Sequence, residues 1–95
     1  MAKKKKRLPH GAYAVAYLYN NGVKQRKCHV VCYTNGRKDL VSYRTIVCRL
    51  MPDGDFVRKW NSYSATTMRH VNLFRQMIGM PNLNKKSWTQ MYCAI

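Results

Sequence analysis

The stretch "FVRKWNSYSATTMRHVNLFRQMI", residues 56–78, holds the change of period on which the fold depends. Its opening "FVRKW", 56–60, is a short apolar and aromatic run with interleaved cations, the pattern of a strand. Further on, Thr67, Val71, Phe74 and Ile78 recur three or four apart, as one face of a helix requires. Between the two patterns lies "NSYS", and Ser62 or Ser64 is expected to cap the helix by accepting a bond from a free backbone N–H. Gly79 supplies the stop and Pro81 prevents the helix from resuming. On this helix His70 and Met77 flank the packing stripe, with His70 partly buried at its edge. Arg69, Asn72, Arg75 and Gln76 fall on the opposite, cationic side.

Upstream of that stretch the period is two. In "AYAVAYLY", 12–19, Tyr13, Val15, Tyr17 and Tyr19 share one face while Ala12, Ala14, Ala16 and Leu18 share the other. Asn21-Gly22 is a hairpin signal, and the next strand is expected at "CHVVCY", 28–33. After Asn35-Gly36 comes "LVSYRTIVCRL", 40–50, which reads as a third, long strand rich in β-branched and aromatic residues. Pro52 and Asp53-Gly54 then turn the chain into 56–60. Short loops between consecutive strands favour an antiparallel meander. The tail 82–95 suits a short helix capped by Asn84, with Trp88, Met91 and Tyr92 packing back, or else a fifth strand. The expected fold is therefore α+β: an antiparallel meander of three to four strands with one helix packed on one face. Residues 12–95 form one domain, and 1–11 form a solvated basic arm ending at Pro9, His10 and Gly11.

Charge narrows the function classes. Eighteen Lys and Arg face three Asp and no Glu, a formal +15. With Lys3, Lys4, Lys5, Lys6 and Arg7 set aside, 13 cations still face the same three acids, an excess of +10. Such a field attracts polyanions, nucleic acid foremost. The basic start is not expected to act as a secretory leader, because Pro9, His10 and Gly11 interrupt it and three Tyr dilute the apolar run that follows. Nor does any segment approach the roughly 20 apolar residues of a membrane span, so a cytoplasmic protein is expected. A membrane-surface role is disfavoured, since a lysine run without lipid or amphipathic helix binds only reversibly.

Cofactor and catalytic chemistry find little footing. Cys28, Cys32, Cys48 and Cys93 read as small core residues in a reducing cytosol. On a strand, Cys28 and Cys32 would stand about 13 Å apart, too far to share one metal ion. The acids Asp39, Asp53 and Asp55 all fall at expected turns, where they shape backbone rather than react. His70 has no local partner that would make it a base, and the Asn-Gly and Asp-Gly pairs are turns rather than phosphate loops. No catalytic residue, metal or cofactor is expected.

Cations interleaved with aromatics point instead to nucleic acid. Lys24, Arg26 and Lys27 lie in one such segment, Arg37 and Lys38 in a second, Arg58 and Lys59 in a third, and Lys85 and Lys86 beside Trp88 in a fourth. Together with residues 3–7, Arg69 and Arg75, they are the candidate phosphate contacts. Tyr13, Tyr17, Tyr33, Tyr43 and Trp60 lie on expected strands and offer either stacking surfaces or core. The helix start, with Ser62, Ser64, Thr66, Thr67 and Arg69, is a candidate phosphate receptor.

The segment "SYRTIV…DGDFVRKWNSYSATTMRHVNLF", within residues 42–74, resembles short uncharacterised proteins of phages and prophages: a Ser-Tyr-x-Thr strand, a turn, then Tyr-Ser-x-Thr-Thr-x-x-His opening a helix. The resemblance implies a viral or mobile-element origin and no particular activity. Two functions follow as expectations. One is a small accessory protein that binds DNA or RNA through phosphates. The other is a phage-encoded inhibitor, of anti-defence or anti-CRISPR type, that blocks a host protein or ribonucleoprotein.

Overall fold

In a computed structural model, which describes residues 8–94, each turn signal becomes a reversal of the chain. The strands are β1 (Ala12–Ala16), β2 (Tyr19–Asn20), β3 (Val23–Lys24), β4 (Cys28–Tyr33), β5 (Lys38–Ser42), β6 (Thr45–Leu50) and β7 (Phe56–Arg58). Two helices follow, α1 (Ala65–Met77) and α2 (Lys85–Gln90). Five strands form one antiparallel sheet in the order β1-β4-β5-β6-β7, and β2 with β3 make a separate hairpin. The α+β class stands, with one more strand in the meander than expected.

That extra strand comes from 40–50, which is a hairpin and not one long strand. Ser42 pairs with Thr45, so the chain reverses over Tyr43 and Arg44, with Tyr43 at φ 58°. No Gly, Asn or Pro marks this turn, and a left-handed Tyr costs about 1–2 kcal/mol. Tertiary pairing outweighs that cost. An unbroken strand of this length would run about 36 Å, well past the end of β4, leaving backbone groups unpaired. The reversal instead pairs β6 with both β5 and β7, and the Lys27 carbonyl accepts a 2.6 Å bond from the Tyr43 amide. A shift of register in this hairpin turns both Val47 and Cys48 inward. By contrast, Asn21 (φ 51°) and Gly22 (φ 80°) behave as their sequence foretells, in a two-residue turn.

Both helices lie on one face of the sheet. There Cys28, Val30, Cys32, Leu40, Val47 and Cys48 meet Met68, Val71, Phe74 and Trp88. Ala14 and Ala16 pack at the margin and Leu18 closes the end, so of the two faces that alternation separates in β1 the core takes the alanine side. The opposite face carries Val15, Val31, Asp39, Arg49 and Val57 across neighbouring strands. No helix packs on it among the described residues.

Helix α1 is closed at both ends by its own sequence. The Ser64 hydroxyl accepts from the Thr67 amide at 3.1 Å. At the other end Gly79, at φ 81°, donates to the Gln76 carbonyl and Met80 donates to Arg75, the paired bonds of a Schellman stop. Helix α2 spans only six residues, too few to persist alone. Its Asn84 cap accepts from the Ser87 amide, and fully buried Trp88 donates its indole N–H to the Ser62 carbonyl at 2.8 Å. The strand alternative for the tail survives as a single parallel bridge between Arg58 and Cys93. Tyr92, expected to pack back, is 83% exposed.

Pro9, His10 and Gly11 are exposed, as a solvated segment would be, but two of their carbonyls are bonded. The Pro9 carbonyl accepts from the Ala12 amide, and the Gly11 carbonyl accepts from Thr34.

Candidate nucleic-acid interface

The expected contact residues separate into three groups by what their side chains touch. The first comprises exposed cations at one end of the sheet. Lys24, Arg26 and Lys27 lie on the β2–β3 hairpin and the segment leading into β4, and the Lys27 carbonyl is bonded to the Tyr43–Arg44 turn. Helix α1 begins at the same end, since Thr67 and His70 both reach Ser42 at the close of β5. Arg69 is exposed on its first turns, and Lys85 and Lys86 are exposed on the first turn of α2. A groove of about 430 Å³ connects these pieces, with Asn20, Tyr63, Arg69, Asn72, Leu83 and Lys85 among its walls. Asn72 braces one wall by donating to the Leu83 carbonyl and accepting from the Leu83 amide. Lys85 Nζ lies 5.0 Å from the Tyr63 ring centroid.

The three acids stand elsewhere. Asp53 and Asp55 occupy the β6–β7 turn, where the Asp53 carboxylate accepts from the Asp55 amide. That turn neighbours the β4–β5 turn, for a Cβ on Gly36 would meet Pro52 at 3.9 Å. Asp39 is not a turn former. It is 1% exposed within β5, accepting from Arg49 Nε at 2.7 Å, Arg49 Nη2 at 3.1 Å and Arg37 Nη2 at 3.2 Å. The acid-bearing loops and the exposed cations thus occupy opposite ends of the sheet. Hydrogen bonding to Asp39 raises the pKa of Arg49 above its already high ordinary value. Sequence reading passed over Arg49; its facing position across β5 and β6 is set by strand register alone.

The second group is buried. Arg58 is 4% exposed and donates to the carbonyls of Trp60 at 2.9 Å and Met91 at 3.0 Å, its guanidinium 4.8 Å from the Trp88 ring centroid. Arg75 is 8% exposed, donates to the Pro81 carbonyl at 2.7 Å and lies over Phe56. Neither is placed to grip a phosphate; both are structural, which corrects the expectation for them. A guanidinium carries five donors on a long apolar stem, so it can tie several loop carbonyls together where a lysine could not. Arg37, over Tyr33 and against Asp39, is half-buried, as are Lys38 and Lys59. The third group, Lys3, Lys4, Lys5, Lys6 and Arg7, lies outside the described residues.

The helix start does not assemble the expected phosphate receptor. Ser64 is engaged as the cap, and Thr67 is buried with its hydroxyl 3.3 Å from Ser42 Oγ. His70 is 2% exposed rather than half-buried, its Nδ1 2.9 Å from Ser42 Oγ. Burial, and next the charge of Arg69, lowers its pKa from the ordinary 6.5.

All four thiols are free, with Cys28, Cys32 and Cys48 buried. Burial pushes the Cys28 thiol up to about 11 and the Cys48 thiol higher still. Among the described residues no three His, Cys, Asp or Glu side chains gather as metal ligands, and no helix is long and apolar enough to cross a membrane.

Residues 13–90 match DUF8033, a family of unknown function. The chain belongs to that family. No curated protein and no solved structure matches it. The DUF8033 span runs from within β1 to the last residue of α2, so it takes in both helices, the buried arginines and the cationic end, while residues 3–7 fall outside it.

Proposed function

We propose that this DUF8033 protein is a small, non-catalytic accessory protein of phage type that binds nucleic acid through phosphate contacts in the cytoplasm. One observation carries the reading: Lys24, Arg26, Lys27, Arg44, Arg69, Lys85 and Lys86 are exposed at one end of the sheet, and the acids lie toward the other. Cations within about a Debye length, roughly 10 Å at 0.1 M salt, reinforce one another at a polyanion. A dispersed set would not. Residues 3–7 add five more positive charges to the same chain.

Titrating a short DNA or RNA across a range of salt tests it. Each duplex phosphate neutralised lowers log K by about 0.9 per log salt, so four to six contacts give a slope near −4 to −5. Binding that is weak at low salt and flat across the series sinks the reading. A host-lysate pull-down repeated after nuclease separates the rival: one protein that stays bound favours an inhibitor of a host protein.

A further inference from the structure

We infer that the helix-free face of the sheet is a stacking platform for unpaired bases, so that the ligand is single-stranded nucleic acid rather than a duplex. The inference rests on the nucleic-acid reading above and adds to it the second surface and the strandedness.

Five strands span about 19 Å at the usual spacing, wide enough for a short run of nucleotides. The face they present has two exposed rings on β1 and its continuation, Tyr13 at 62% and Tyr17 at 46%. Between and beside them lie half-buried Val15 and Val41 over a buried Val31, with Ile46 40% exposed. Of the other aromatics expected on strands, Tyr33 is buried beneath Arg37, Trp60 packs against the core, and Tyr43, 54% exposed, lies on the β5–β6 turn with its ring 6.1 Å from that of His70 on α1, so the exposed stacking surface on this face is carried by β1.

Charge on this face suits an anion. The sole carboxylate among the residues facing this way, Asp39, is held by Arg49 and Arg37, so the cluster bears one net positive charge. Without those two arginines a buried anion would lie under the ligand. Lys24 Nζ lies 4.0 Å from the Tyr17 centroid. An exposed cation over a ring is a weaker contact than a stacked base, so a base displaces the ammonium, which then meets the adjoining phosphate. A duplex hides its base faces and could use only the cations. A second copy of the chain is a poor occupant, because each carries a formal +15.

The test measures binding of the full chain to a 12-nucleotide single strand and to a hairpin duplex of matched composition, each across the same series of salt concentrations. Wild type should prefer the single strand. Tyr13→Ala with Tyr17→Ala should lower single-strand affinity about tenfold or more, leave duplex affinity unchanged and leave the salt slope unaltered. Tyr13→Phe with Tyr17→Phe should restore binding. Ile46→Glu supplies an independent variant on the same face and should also weaken the single strand. Equal wild-type affinity for both forms, or undiminished single-strand binding by a folded Tyr13→Ala/Tyr17→Ala variant, overturns the inference and leaves the phosphate reading standing. Wild type that binds neither form at low salt removes both. A nuclease-resistant protein partner lost with the tyrosines would assign the face to protein and overturn the inference as well.

Discussion

Ser42 and His70 meet across the sheet–helix boundary, Oγ to Nδ1 at 2.9 Å, and each is 2% exposed. Thr67 joins them at 3.3 Å from the serine oxygen. Of the polar residues of 61–70, Ser64 thus caps α1 while Thr67 and His70 dock it on β5.

This contact makes stability depend on pH. Burial holds the folded His70 below its ordinary pKa of 6.5, with Arg69 adding to the effect. The unfolded chain therefore binds the proton more readily, and stability is lost as pH falls below about 6.5, levelling off below the lower folded value. Melting temperature should drop between pH 7.5 and 5, and His70→Gln should flatten that dependence. A wild-type profile level through this range would refute the assignment.

The Asp39 cluster yields an ordered pair of effects. Arg49 offers two donors and Arg37 one. Arg49→Met leaves a buried carboxylate with one partner and should destabilise by about 3 kcal/mol in urea unfolding. Arg37→Met should cost less, because the bidentate pair remains.

Buried and exposed cations should behave oppositely. Arg75→Ala frees the Pro81 carbonyl and uncovers Phe56, so it should lose about 2 kcal/mol of stability. Arg58→Ala strands the carbonyls of Trp60 and Met91 and should cost about 3 kcal/mol or more. Arg69→Ala combined with Lys85→Ala should leave melting close to wild type, within about 0.5 kcal/mol for each exposed site, while lowering affinity for nucleic acid. Calorimetry alongside binding isotherms separates the two sets.

The thiols give an independent check on the core. Cys93 is half-exposed and the other three are buried. Burial keeps Cys28 and Cys48 protonated at pH 8. An aromatic disulfide reagent should therefore modify one thiol quickly and all four only after denaturation. Rapid modification of two or more in the native protein would contradict the packing of β4 and β6.

What the sequence by itself determined is local. Asn21-Gly22 makes a hairpin because those residues tolerate positive φ, Ser64 and Gly79 bound α1 because they satisfy its end groups, and Asn84 caps α2. Alternation in β1 likewise told the tyrosine side from the alanine side. Tertiary structure alone decided the rest. Tyr43 turns because β5 and β6 need each other as partners, a relation no local signal encodes. Arg75 and Arg69 have the same charge on the same helix, yet Arg75 reaches back over Phe56 to the Pro81 carbonyl while Arg69 stays in water. Asp39 is an ion-pair centre because register sets Arg49 opposite it. Charge is a property of composition, but whether a charge is satisfied internally or offered to a ligand depends on groups distant in the chain, and folding alone brings those together.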